Sequence, residues 1–449
     1  MAAAMSAGGE TMAAERPPSD VSSAVGFVGL AGLLAWIVIA RQYPAIADLL
    51  GLPAGRGVLS GSRAALAGLL ASAVPMVLWS VLVEKVHLRA STGLDWRLKR
   101  PWDETIDWSI TKLAGLWATW ALLCAFYWLG AWYWQPPYGF AMQVLGWLVV
   151  PLFAGSIPYV IWLDRHLVNP RDACWHFGAM LVGREAWESD AVKRHLRAWF
   201  IKGFFGAFMI AILPDGFRYV VEADLSSMLD RPVRLALFLI SLLFVFDVQI
   251  GTVGYLLTMK PLDAHIRSGN PFLAGWIAAL VCYPPLMLMD TGDVLDYRSN
   301  APGWLHWFAG HDALALVWAV WLVFLTAIYA WATVIFGLRF SNLTYRGVIT
   351  NGPFRWTRHP AYLSKNLFWW CAVLPFLVTS GSVVEGLRNA LLLGAVSAIY
   401  YWRARTEEAH LLLEDAKYRE FYAWMGEYGL VTSRLRRLGQ SLARRGGAS

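Results

Sequence analysis

The chain has 449 residues, which in a soluble protein would suggest two or three domains, but 57% of them are hydrophobic and only 15% are charged. Together with 26 tryptophans and a 14% aromatic fraction, typical of rings gathered at a membrane–water boundary, this composition excludes a soluble enzyme, a disordered scaffold and a nucleic-acid binder. The net charge of +7 needs no polyanion, because excess Lys and Arg in a membrane protein first mark cytoplasmic loops and anionic headgroups.

Residues 1–21 are rich in Ala, Ser, Gly and Pro and lack the basic start and apolar core of a secretory signal, so a disordered cytoplasmic tail is expected there. Apolar stretches close to the roughly 20 residues needed to cross about 30 Å of hydrocarbon then follow. They lie near 22–40, 64–83, 113–134, 140–163, 200–221, 233–258, 271–289, 313–338, 366–384 and 387–402. About eight of them make up an N-terminal membrane region, 22–338, and the last two are short enough for a tilted hairpin. Spanning backbone must satisfy its own hydrogen bonds, and no alternating barrel strands are visible. The predicted fold is therefore all-α and polytopic, an integral membrane protein of about ten transmembrane helices.

Ten spans place both ends on one side. The connections on that side carry 28 Lys and Arg against 8 on the other, which makes the heavy face and both termini cytoplasmic by the positive-inside rule. Two long connections on that face, about 84–112 and 164–199, mix Trp with charge and read as helices lying on the membrane surface. Four cysteines are too few for a disulfide framework in a chain of this size and read as thiols. A basic tail occupies 433–449.

Polar residues converge in two segments. In the first, Asn351-Gly352-Pro353 signals a turn, behind which come Arg355, Arg358 and His359, and then Pro360, suited to the first turn of a helix. A helix N-terminus beside a guanidinium and an imidazole suits an anion or carboxylate; the bland reading is a basic loop touching headgroups. In the second segment Arg403 and Glu407 stand four apart, as do Thr406 and His410, so each pair shares a helical face where the helix leaves the membrane. Glu407 and Glu408 put two carboxylates against the basic loop. An ordinary surface ion pair is the alternative, but the hairpin returns Arg403 and Glu407 to the membrane face that carries His359.

At these residues the sequence resembles the isoprenylcysteine carboxyl methyltransferase family and the related phospholipid methyltransferases. The resemblance rests on Gly352-Pro-Phe-Arg-Trp-Thr-Arg-His-Pro-Ala-Tyr362 and on Arg403-Ala-Arg-Thr-Glu-Glu408, with Lys417-Tyr418 and Tyr422 downstream. It covers about 346–430 and implies a methyltransferase-like catalytic region at 339–432. What it implies is S-adenosylmethionine-dependent methyl transfer to a lipophilic acceptor, isoprenoid or lipid-linked, entering from the bilayer. By position, Arg346, Gly347, Val348, Ile349, Phe354, His359, Pro360, Ala361, Tyr362 and Glu407 would line the cofactor pocket, and Arg403 would face the acceptor. Phe354 stands where a Tyr is common, and Arg346 where a His can stand.

The chemistry of the cofactor asks for the same residue types. A sulfonium wants aromatic faces, which Phe354, Trp356 and Tyr362 offer; a carboxylate wants the His359 region; an ammonium or ribose wants an acid, Glu407 or Glu408. His359, Arg403 and Glu407 are the candidate catalytic residues, and a neutral acceptor would need His359, His410 or a glutamate as base. The alternative enzyme class is the membrane sterol double-bond reductases, which use NADPH and share about ten spans and an Arg-His-x-x-Tyr segment. A transporter is the third reading. Asp247, inside a predicted span, is expected to meet a substrate headgroup or to be paired with Lys202 or a backbone donor; a metal site at Asp290, Asp293 and Asp296 and a zinc ligand at His176 are disfavoured.

Overall fold

The computed structural model describes residues 15–52, 58–183, 185–229, 231–373 and 380–446. Among these, eight helices are long and apolar enough to cross a membrane: Ser23–Leu50, Ser62–Val83, Trp102–Leu129, Tyr138–Asp164, Ser189–Glu222, Pro232–Leu256, Asp312–Arg339 and Val383–Glu414. The shortest has 22 residues, about 33 Å at 1.5 Å per residue, enough for the hydrocarbon layer. Extended structure is confined to a short antiparallel pair, Ser268–Gly269 with Thr344–Tyr345, and one isolated bridge, Leu94 with Leu167. The protein is an all-α, polytopic membrane protein.

The seventh predicted stretch, 271–289, is not one helix. Leu273–Leu280 is helical, and Pro284-Pro285 then remove two N–H donors that a continuing helix would need. The chain proceeds in turns closed by its own amides, Leu286 to Tyr283, Leu288 to Val281 and Leu295 to Leu288. It still passes from one end of the bundle to the other. Ser268 pairs with Tyr345 at one end, and the Ser299 carbonyl accepts from Asn389 Nδ2 near the start of the Val383–Glu414 helix at the other. Irregular backbone at membrane depth is tolerated where protein covers it, and here Cys282, Met289 and Tyr297 pack on Leu393, Val396 and Tyr400. Of the ninth predicted stretch, 366–384, the helix Pro360–Val373 is seen, while 374–379 lie outside the described residues.

Two other expectations change. Residues 102–112 and 189–199 belong to membrane-crossing helices rather than to surface ones, because Lys112 is buried against Asp164 and lies 3.4 Å from Asp172. Residues 15–21 of the expected disordered tail are an ordered strap; residues 1–14 are outside the described set.

The basic connections meet at one end of the bundle around shared acids. Buried Asp263 takes Arg339 at 2.6 Å, Arg267 at 3.3 Å and Arg89 at 3.9 Å. Asp172 joins Lys112 to Lys260 at 3.2 Å. The Ser23–Leu50 helix reaches this end by pressing Gly26 against Val334 of the Asp312–Phe336 helix, so closely that any β-carbon would collide with the Val334 carbonyl. That contact sets the N-terminal strap beside the loop that follows Arg339.

Candidate active site

A cavity of about 170 Å³ opens at this end of the bundle. Its walls are the loop 339–349, the turn and helix start 354–362, the lower parts of the Asp312–Phe336 and Val383–Glu414 helices, and Tyr418 and Phe421 of the Ala416–Tyr428 helix. The loop owes its shape to backbone that side chains rarely permit: Gly347 has φ +115° and Gly352 φ +55°. A side chain at 347 would strike the Arg339 guanidinium and the Asp20 carboxylate.

Arg346 pins the loop from behind. Its buried guanidinium donates to the carbonyls of Ala264, Gly254, Phe340 and Leu338. Burial, with help from nearby Arg339, pulls its pKa down to about 9. Arg346 touches the cavity, but its donors are spent on backbone.

The strap completes the other side of the loop. Asp20 N–H donates to the Val348 carbonyl at 2.8 Å, and Val348 N–H donates to Asp20 Oδ2 at 2.7 Å. Thr350 donates to the Pro17 carbonyl, and Asn351 Nδ2 to the Val21 carbonyl and Ser23 Oγ. Lys417 Nζ donates to Asp20 Oδ1 at 2.5 Å. Burial pushes the Asp20 carboxyl up, but Lys417, the Val348 amide and Arg339 outweigh it and hold the group below its ordinary value of 3.8.

Two linked clusters form the polar wall. Arg403, 1% exposed, donates to Asn342 Oδ1 and through Nε to Glu407 Oε1 at 3.4 Å. Its guanidinium lies 5.0 Å from the Tyr362 ring centre, 5.6 Å from Tyr283 and 5.8 Å from Tyr400. Tyr362 donates to the same Glu407 oxygen at 2.5 Å. Behind these, Glu408 joins three cationic or imidazole groups: Arg358 at 2.6 Å, His359 Nε2 at 3.1 Å and Arg405 at 2.8 Å. The His359 and Tyr362 rings stack at 5.6 Å and 4°, so Glu408 fixes the imidazole and the imidazole backs the tyrosine.

The cavity has a second end, farther from the loops. Tyr329, Thr333, Lys365 and Tyr400 line it. Tyr329 donates to Asp247 Oδ2 at 2.8 Å and Thr333 to Oδ1 at 2.5 Å. Asp247 is thus held by two hydroxyls and not by Lys202, whose ammonium donates to Thr258 Oγ1 at 2.8 Å.

The residues singled out in the sequence come together. Arg346, Gly347, Val348, Ile349, Phe354, His359, Pro360, Ala361, Tyr362, Arg403, Glu407 and His410 all border one cavity. Glu408 is placed behind its wall, and His410 is turned to Ser268 Oγ at 2.9 Å. Tyr283, Arg339, Asn342, Lys365 and Tyr418 also line it. Of these, sequence reasoning could have found Lys365, a charge within an otherwise apolar helix; Tyr283 and the strap carry no local signal.

Residues 298–423 match the family described as protein of unknown function (DUF1295). The match spans well under half of the chain. Among the lining residues in the described part of the chain, only Tyr283 falls outside it. Comparison with curated proteins and with solved structures returns no match. The DUF1295 region therefore supplies nearly all of the cavity lining, and the chain before it supplies the strap, Tyr283 and Asp247.

Proposed function

We propose that the DUF1295 region is a membrane methyltransferase centre, binding S-adenosylmethionine at the loop end of the cavity and a lipophilic acceptor toward the bilayer. That region is associated with both reductase-like and methyltransferase-like membrane proteins, so the choice rests on charge. The observation that carries it is that the guanidiniums around the loop end are largely spent: Arg346 on four carbonyls, Arg358 on Glu408, Arg403 on Glu407 and Asn342. A dinucleotide phosphate needs several free cationic donors. Donors remain on Arg339, whose Nη1 is buried without an acceptor among the described residues while Nη2 holds Asp263, and on Arg358, of which only Nε reaches Glu408. Each of these guanidiniums already has a carboxylate beside it, which suits a ligand carboxylate better than a multiply charged phosphate.

The rest of the loop end fits a cofactor of low net charge. Glu407 Oε1 is taken by Tyr362 and Arg403, and Oε2 has no hydrogen-bond partner among the described residues, leaving an acceptor for an ammonium or a ribose hydroxyl. Phe354 offers an aromatic ring to a cation. S-adenosylmethionine, when bound, supplies an activated methyl group. The chain's own task is then to align the acceptor and exclude water: Arg403, fixed by Asn342 and Glu407, holds one side, and the Ala416–Tyr428 helix covers the other with Tyr418 and Phe421. An anionic acceptor needs no base; for a neutral one, His359 or Glu407 is in place to take the proton.

A second reading, NADPH-dependent double-bond reduction, draws on Tyr329 and Asp247, because reduction needs a proton besides a hydride and these groups could deliver one at the bilayer end. Both readings put the loop end at the cytoplasm, with both termini cytoplasmic. Transfer of tritium from methyl-labelled S-adenosylmethionine into the lipid fraction of membranes tests the choice. Label should appear with the wild-type protein and fall at least about a hundredfold in Glu407→Ala; lipid labelling that does not depend on the protein would overturn the reading.

A further inference from the structure

The bilayer end of the cavity contains a charge that the proposed cofactor site does not use. Lys365 stands in the second turn of the Pro360–Val373 helix, roughly 8 Å along its axis from the helix start at 1.5 Å per residue. Its ammonium lies among three aromatic faces, 5.1 Å from the Trp369 ring centre, 5.4 Å from Tyr329 and 5.7 Å from Tyr400. No hydrogen bond or ion pair reaches it among the described residues. The neighbouring acid, Asp247, makes no direct ion pair with it and instead accepts from Thr333 and Tyr329. The contrast with the loop end is sharp, since Arg346, Arg358 and Arg403 there are all paired.

An ammonium with no direct ion-pair or hydrogen-bond partner at this depth is costly, and such groups mark ligand paths. Rings stabilise a cation through their faces, but they accept no conventional hydrogen bonds, so the ammonium keeps its donors for an incoming group. That group must be an acceptor, and an ionised one repays the desolvation best. The surrounding walls are aromatic and lie between membrane-crossing helices, which selects a molecule with an apolar body.

We propose that Lys365 is the head-group site for a lipid bearing an oxyanion, a carboxylate or a phosphate, that occupies the bilayer end of the cavity. Naming this substrate class rests on the reading of the cavity as a two-ended enzyme site, with the cofactor at the loop end. Lys365 orients the lipid by its charge, and the rings of Tyr329 and Tyr400, which line the cavity, flank the adjoining chain. Arg403, across Tyr400, is already held by Glu407 and Asn342.

The test uses the full-length protein in phosphatidylcholine nanodiscs and three probes with the same sixteen-carbon chain: hexadecyl phosphate, palmitate and hexadecanol. Binding is read from the tryptophan fluorescence to which Trp369 contributes. At least one anionic probe should bind about tenfold or more tighter than hexadecanol, and the preferred one identifies the oxyanion. Lys365→Met should abolish that preference without altering affinity for S-adenosylmethionine, and Lys365→Arg should restore it. Equal binding of all three probes to the wild type, or a preference that survives in Lys365→Met, would overturn the proposal. If the anionic preference is present and Lys365-dependent but S-adenosylmethionine does not bind, the head-group site stands and the cofactor assignment fails.

Discussion

Glu408 shows how one residue can hold a site together without entering it. It is 4% exposed and accepts from Arg358, His359 and Arg405, so its loss leaves Arg358 without its counter-charge and His359 without its hydrogen-bond partner. Breaking such a pair from one side costs roughly 2–3 kcal/mol; the Arg405 contact, half exposed, adds little. Glu408→Ala should therefore unfold at lower denaturant concentration by that amount and bind cofactor about tenfold more weakly, since His359 is no longer held against Tyr362. Glu408→Gln, which keeps an acceptor, should lose less of both. Denaturation and binding titrations of the two variants check this, and wild-type affinity in Glu408→Ala would show that the imidazole needs no anchor. The sequence signalled the Glu407-Glu408 pair but not the division of labour. Helical spacing puts Glu407 over Arg403 and turns Glu408 by about 100° toward Arg358, and which of the two meets the cavity depends on a neighbouring helix that periodicity does not reveal.

Among the elements, the strap 15–21 makes a prediction of its own. Asp20 is held below its ordinary carboxyl value by Lys417, the Val348 amide and Arg339, against the effect of burial. A depressed carboxyl contributes stability that is complete above the ordinary value of 3.8 and is lost as pH falls through the lower folded value. Acidification below that value should free the strap from the 347–351 loop, and Asp20→Ala should free it at neutral pH. Hydrogen exchange at the Val348 amide reads this directly: protection should drop in the variant at pH 7 and in the wild type only in acid. Unchanged protection in both would mean that Pro17, Val21 and their hydrogen bonds hold the strap alone. No local pattern announced this element, because Ala, Pro and Ser composition reads as disorder until a partner loop offers its amides. The opposite error occurred at 271–289, where an apolar run of spanning length is broken by Pro284-Pro285. Apolarity reports burial, and there burial is provided by the Val383–Glu414 helix rather than by lipid. Helices with no such breaker, such as Pro232–Leu256, were legible almost to the residue.

For the molecule as a whole, the division of basic residues was legible as well as the helices. Connections far apart in the chain gather at one end through Asp263, Asp172 and Asp20, and the N-terminal strap and the Ala416–Tyr428 helix meet there. By the positive-inside rule we propose that this end faces the cytoplasm. In a background without the four native cysteines, a cysteine beside Arg388 should label from outside intact cells and one beside Arg434 should not; the reverse would invert the protein. The same arrangement gives the DUF1295 region a cavity with a loop end, where guanidiniums are already paired, and a bilayer end, where Lys365 is not. S-adenosylmethionine binding is proposed for the first of these. Equilibrium titration of the purified full-length protein with S-adenosylmethionine and with NADPH tests it most directly: S-adenosylmethionine should bind, NADPH should not compete, and both Glu407→Ala and His359→Ala should lose the binding while remaining folded. Saturable binding of NADPH with none of S-adenosylmethionine would contradict the account.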